Sequence, residues 1–98
     1  MEKTICAIST PIGVGGISII RLSGKNSLEI VNKILETPLN NPEPRKMMLK
    51  KIKAGDIKDN AMVVYFKAPF SFTGEDLVEI QCHGGVFLTN EILKALLN

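Results

Sequence analysis

Glycine and proline divide this 98-residue chain into segments of at most 13 residues. A membrane-spanning helix needs about 20 consecutive apolar residues, and no apolar run in this sequence approaches that length, so a transmembrane protein is not expected. Apolar residues make up 45% of the chain and charged residues 22%, which is ordinary usage for a folded domain and not for a disordered or collagen-like chain. We therefore expect residues 1–98 to form one small domain of short elements.

The runs between these breaks predict five strands and two helices. The predicted strands are Thr4–Thr10, Ile17–Leu22, Lys46–Ala54, Ala61–Lys67 and Glu75–His83. One helix is predicted to begin at a cap on Ser23 or Asn26, bury Leu28, Val31, Ile34 and Leu35, and end before Pro38, and the other to span Phe87–Leu97. The glycine-rich segment Pro11–Gly16 predicts a hairpin loop, and Gly55–Asn60 a turn. The fold class is thus α+β, in the order β-β-α-β-β-β-α, with a mostly antiparallel sheet and helices on one face.

Two charged residues fall in the middle of predicted strands. In Glu75–His83, alternation places Val78, Ile80 and Cys82 on one face and Leu77, Glu79 and Gln81 on the other. An isolated carboxylate among apolar neighbours is costly to bury, and Arg21 presents the same problem in the second strand. Either the two form a structural ion pair, or they are the polar anchors of a ligand pocket.

Other candidate sites are weaker. The net charge is +2, and the basic residues between Arg45 and Lys58 are interpreted either as protection of an exposed sheet edge or as a phosphate-contacting patch. Cys82 and His83 are neighbours on a strand and point to opposite faces, so they do not favour a shared metal ion. Cys6 and Cys82 do not form a disulfide framework, which favours a reducing, cytoplasmic setting. The glycines match neither a P-loop nor a dinucleotide fingerprint.

Two longer motifs carry a resemblance to a known family. The first is Ala7–Pro11 (AISTP), followed by the Gly13–Gly16 loop and Ile20–Gly24 (IRLSG). The second combines Ala68–Pro69, Ser71–Asp76 (SFTGED), Glu79 and Cys82–Gly85 (CHGG). In their order and spacing these motifs resemble the N-terminal domain of the MnmE/TrmE family of tRNA-modification GTPases.

The resemblance implies a fold similar to half of the folate-binding domain of the glycine-cleavage aminomethyltransferase, and a homodimer. It implies that 5-formyltetrahydrofolate or a related tetrahydrofolate is bound by the positions that match Arg21 and Glu79. A carboxylate suits this role because it can accept both adjacent N–H groups of a pterin ring. No catalytic residue, metal site or catalytic activity is expected in these 98 residues.

For the parent protein, the resemblance implies a hydrolase that binds GTP, Mg²⁺ and K⁺ in a G domain outside this chain, beside a helical domain. That protein works with an FAD-dependent partner of the MnmG/GidA family to modify the wobble uridine of tRNA in the cytoplasm. Three alternatives stay open: a dimerisation module with an incomplete folate site, a small RNA-binding module acting through Lys46–Lys58, and a fragment of a folate-dependent aminomethyltransferase.

Overall fold

The computed structural model describes residues 4–8, 17–71, 73–83 and 86–97. Within them the elements follow the predicted order: β1 (Ile5–Ile8), β2 (Ile17–Ser23), α1 (Ser27–Val31), β3 (Met48–Ala54), β4 (Ile57–Phe66), β5 (Leu77–His83) and α2 (Val86–Leu97). The strands form one antiparallel sheet in the order β1-β2-β5-β4-β3. The α+β class and the β1–β2 hairpin pairing are therefore confirmed. The predicted loop Pro11–Gly16 and the last two residues of the first predicted strand lie outside the described residues.

The hydrophobic core lies between one face of the sheet and both helices. Ile20 and Leu22 of β2, and Val78 and Ile80 of β5, have no exposed surface. They pack in one cluster with buried residues of both helical segments, which include Val31, Ile34, Ile92 and Leu96. The predicted alternation of β5 is confirmed, since Val78, Ile80 and Cys82 face this core while Glu79 and Gln81 lie on the opposite face.

The first helix is shorter than predicted. It ends at Val31, although Ile34 and Leu35 are buried as expected. The side chain of Asn32 explains the early end, because it bonds both the backbone N–H of Leu39 at 2.9 Å and its carbonyl at 3.2 Å. These bonds fold the chain back before a second helical turn is complete.

The N-terminal end of α1 is fixed by other groups than a capping side chain. Asn26 occupies the N-cap position, as one of the two predicted candidates, but its side chain makes no capping hydrogen bond. The Ser27 hydroxyl donates to the Gly24 carbonyl at 2.6 Å, and the Asn26 N–H donates to Thr4 Oγ1 at 3.1 Å.

The predicted turn Gly55–Asn60 is wrong in its extent. The turn is confined to Gly55 and Asp56, and β4 begins at Ile57, which pairs with Ala54. The polar residues after Ile57 were misleading because one face of the β3–β4 hairpin is open to solvent, and strand residues on such a face need not be apolar. The other face contributes Ile52 and Ala54 to the core.

The outer edge of β3 is covered by the segment that follows α1. Leu35 forms a bridge with Ile52, the Lys53 N–H donates to the Ile34 carbonyl at 2.7 Å, and the Glu36 N–H donates to the Lys51 carbonyl at 3.0 Å. β3 is thus the last strand of the sheet, as predicted, but the middle of its edge is paired.

Neither helix in the described part of the chain has the length and apolar character required to cross a membrane.

Candidate functional site

The face of the sheet opposite the helices carries the charged residues singled out in the sequence. Strand pairing aligns Ala7, Arg21, Glu79 and Val64 in one row across four strands. The next row contains Ile19, Gln81, Met62 and Leu49. We call this surface the open face.

Arg21 and Glu79 form an ion pair at the centre of the open face. Arg21 Nε donates to Glu79 Oε1 at 2.9 Å, and the two side chains are 33% and 11% exposed. Gln81 Nε2 donates to the other carboxylate oxygen, Oε2, at 3.2 Å. Each oxygen of Glu79 thus receives one hydrogen bond from a neighbouring side chain, which fixes the orientation of a largely buried carboxylate.

A shallow depression of about 320 Å³ lies next to Gln81, the neighbour of Glu79, and is not lined by Arg21 or Glu79 themselves. Its lining includes Ile17, Leu49 and Met62, with Gln81 at the side nearest Glu79. Ile17 is 62% exposed and Leu49 67% exposed. The volume lies at the lower end of the range for small-molecule sites, about 300–1,000 Å³, and its apolar lining with a few polar groups is typical of them.

The two family motifs meet at one end of β2. The Gly24 N–H donates to the Asp76 carbonyl at 2.8 Å. Ser23 Oγ lies 2.6 Å from Thr73 Oγ1 and donates to Glu75 Oε1 at 3.2 Å. The serine and glycine of the first motif therefore anchor the loop that carries the second motif, so the conformation of that loop depends on both.

The loop is also fixed on its other side. Asp76 Oδ1 accepts a hydrogen bond from the Ala68 N–H at 2.9 Å. Burial raises the pKa of Tyr65, and the adjacent Asp76 carboxylate adds to this effect.

A hydrogen-bonded Asp–His pair lies at the far end of β5. His83 Nδ1 is 2.8 Å from Asp59 Oδ2, and this hydrogen bond lowers the pKa of Asp59. Cys82, on the opposite side of the strand from His83, is buried, and burial followed by the Asp59 charge raises the pKa of its thiol. Burial also raises the pKa of Cys6 to about 11. Neither thiol therefore has the lowered pKa of a reactive cysteine.

The structure brings together both predicted site residues, Arg21 and Glu79. Of the two interpretations given to them, it shows the ion pair, and Gln81, the neighbour of Glu79, lines a depression large enough to be considered as a ligand site. The role of Gln81 was missed, although its place on the same face as Glu79 was the signal that could have found it. The Asp59–His83 pair was also missed, because no local pattern connects residues 24 positions apart.

Comparisons with known proteins agree with the motifs. The family model described as the N-terminus of the GTP-binding protein TrmE matches residues 4–98. The tRNA modification GTPase MnmE of Sulfurimonas denitrificans is 53% identical over 98 residues, which cover 98% of this chain and 22% of that protein.

Two further relatives carry the same name. The MnmE protein of Helicobacter pylori is 50% identical over 99 residues, covering 100% of this chain and 21% of the relative. That of Pseudothermotoga lettingae is 47% identical over 102 residues, covering 100% and 22%. The chain therefore spans about a fifth of the length of these relatives. With the motifs, the family match and the identity extending over the whole sequence, this chain belongs to the MnmE/TrmE family and corresponds to its N-terminal domain.

Proposed function

We propose that this chain is the tetrahydrofolate-binding and homodimer-forming domain of a cytoplasmic tRNA-modification GTPase. The observation that carries the proposal is the Glu79 carboxylate, which Arg21 and Gln81 orient on the open face, with Gln81 also lining an apolar depression. The family membership favours the GTPase parent over a fragment of an aminomethyltransferase. In this proposal GTP, Mg²⁺, K⁺, the FAD-dependent MnmG/GidA-type partner and the wobble uridine of tRNA act through the parent protein outside these 98 residues.

The hydrogen-bonding capacity of Glu79 fits a folate. A carboxylate has about four acceptor positions, and the side chains of Arg21 and Gln81 use one on each oxygen. The remaining positions suit the two adjacent N–H donors of a pterin ring. Bound folate supplies a one-carbon unit to the modification reaction.

Arg21 has a different part in this site. Its guanidinium compensates the charge of Glu79, which would otherwise be costly on a mostly buried side chain. Its planar donor group can also bond polar atoms of the ligand.

Isothermal titration calorimetry with 5-formyltetrahydrofolate tests the binding site. We expect Glu79→Gln to weaken binding about tenfold to a hundredfold, because hydrogen bonds to a charged group contribute about 1.5–3 kcal/mol. Glu29→Gln, which removes the same charge from the exposed surface of α1, is the matched control and should bind normally. No detectable heat from the unchanged chain, or equal affinity for Glu79→Gln, would refute the assignment.

Sedimentation of the same samples tests dimer formation. Ile5, Ile17 and Leu49 lie on the open face and are 60–67% exposed, which supports a second copy as their cover. A chain that stays monomeric at high concentration would contradict the dimer. A dimer without folate uptake would instead identify the dimerisation module given above as an alternative.

A further inference from the structure

Three lysines share the solvent-exposed tip of the β3–β4 hairpin. Strand pairing places Lys53 directly opposite Lys58, and Lys51 opposite Asn60 one step further along the same side. All three lysines are exposed. We call this surface, made of Lys51, Lys53 and Lys58, the lysine face.

Protection of a free sheet edge does not account for the lysine face. Lysines on an edge strand prevent other chains from pairing with its open N–H and C=O groups. Here the backbone of residues 34–36 already pairs with β3 at Lys51 and Lys53. The charge on these side chains therefore serves another purpose.

The lysine face is also uncompensated. Two basic side chains that precede the lysine face in the sequence do have partners: Lys46 pairs with Glu43 at 3.8 Å, and Lys50 Nζ donates to the Thr37 carbonyl at 3.3 Å. Among the described residues, none of the three lysines of the face forms an ion pair. Lys51 and Lys58 line a depression of about 370 Å³ together with Glu36 and Asp59. Asp59 is hydrogen-bonded to His83, and neither carboxylate comes within ion-pair distance of a lysine of the face. Lys53 and Lys58 are directly opposite each other, and like charges in that arrangement destabilise a sheet, so stability of the fold does not explain their placement.

The charge of the whole segment is strongly asymmetric. Residues 45–58 contain six of the twelve Lys and Arg residues and one of the ten acidic residues, which is a net charge of +5. The other 84 residues consequently carry −3. Four of the six basic residues, Lys50, Lys51, Lys53 and Lys58, lie in the β3–β4 hairpin, and the other two, Arg45 and Lys46, precede it.

We propose that the lysine face binds the phosphodiester backbone of RNA, without reading its sequence. This inference rests on the proposed function, which makes tRNA the substrate of the parent protein. Lysine is depleted in protein–protein interfaces, where aromatic residues and arginine supply the anchors, and the lysine face has neither. Lysine ammonium groups are suited to phosphate contacts. Successive lysines on one strand face are about 6.8 Å apart, which is comparable with the spacing of neighbouring phosphates.

Fluorescence anisotropy with a labelled tRNA transcript, over a series of salt concentrations, tests the proposal. The variant is Lys51→Gln/Lys53→Gln/Lys58→Gln. The matched control, Lys25→Gln/Lys67→Gln/Lys94→Gln, removes the same charge from exposed positions elsewhere. Three phosphate contacts predict that raising the salt from about 50 to about 200 mM weakens binding by the unchanged chain about 20- to 40-fold. We expect the variant to lose about 2 to 3 units of salt slope and at least tenfold in affinity, while the control keeps most of both.

Two results would overturn the proposal. One is equal loss of tRNA affinity in the variant and the control, which would show that the loss follows from the lower net charge and not from the position of the lysines. The other is binding of polyglutamate as tightly as tRNA, which would point to an acidic protein surface as the partner. Circular dichroism of both variants verifies that each is folded. Folate calorimetry on the same variant tests the two proposals separately. Absence of folate binding would not affect the tRNA measurement, and absence of tRNA binding would not affect the folate measurement.

Discussion

Replacing Arg21 should destabilise the chain more than replacing Glu79, although both changes break the same ion pair. Arg21→Met keeps the aliphatic stem but leaves a carboxylate that is only 11% exposed with the single side-chain donor of Gln81. Glu79→Gln leaves a guanidinium that is 33% exposed and can be hydrated. The glutamine at position 79 also still presents an acceptor oxygen. The penalty for an uncompensated charge therefore falls mainly on the arginine variant.

The exposures set the size of the effect. Breaking a buried pair by removing one partner costs about 3–5 kcal/mol, and breaking a surface pair about 0–1 kcal/mol. The Arg21–Glu79 pair lies between these limits, so we expect about 2–3 kcal/mol for Arg21→Met and about 1 kcal/mol for Glu79→Gln. With a urea m-value of about 1–1.5 kcal/mol/M, the two unfolding midpoints should differ by about 1 M.

The free energies of unfolding of both variants and of the double variant are measured by urea unfolding, followed by circular dichroism. One fixed protein concentration is used because dimer formation would affect stability. The double-mutant cycle should give a coupling energy of about 1–2 kcal/mol. If Glu79→Gln cost as much as Arg21→Met, or if the two effects were additive, the account of a charge-compensated carboxylate would be wrong.

Two further predictions concern packing and thiol chemistry. Gly24 has φ +139°, and a Cβ there would lie 2.5 Å from Thr4 Cα. Gly24→Ala should therefore lower the unfolding free energy by about 3 kcal/mol or more, whereas Gly55→Ala, where a Cβ meets no other atom, should lower it by about 1 kcal/mol. Equal losses for the two variants in a urea titration would contradict this. The pKa of Cys6 is raised from 9.0 to about 11, so in a Cys82→Ala background its alkylation by iodoacetamide at pH 8 should be about a hundredfold slower than in the urea-unfolded chain, because the thiolate is that much scarcer. Similar rates in the folded and unfolded chain would show that Cys6 is not shielded.

Strand positions and their faces were predictable because side-chain alternation is a local property. The alternation in β5 correctly separated Val78 and Ile80, which are buried in the core, from Glu79 and Gln81, but it did not indicate which of the two faces is the core side. The end of α1 was not predictable in the same way. The buried spacing of Ile34 and Leu35 is compatible with a helix, but the long-range bridge from Leu35 to Ile52 and the Asn32 side chain determine the backbone instead.

The candidate site was predictable in its residue types but not in its geometry. A charge in the middle of a strand indicates that Arg21 and Glu79 need partners. That they are partners of each other depends on the β2–β5 register, which joins residues 58 positions apart. The extent of β4 was not predictable because Lys58 and Asn60 are polar, yet they lie on the solvent-exposed face of a strand whose other face contributes Ala61 and Val63 to the core.

Because residues 34–36 pair with β3, a further strand can be added to the sheet mainly at its opposite edge. With that side closed at its centre, β1 is the edge strand whose outer backbone groups have no strand beside them within the described chain. A strand from another molecule would therefore add next to Ile5–Ile8. Because Ala7 is aligned with Arg21 and strands are about 4.8 Å apart, such a strand would extend the row of Arg21 and Glu79, and its backbone would lie about 10 Å from the backbone of Arg21.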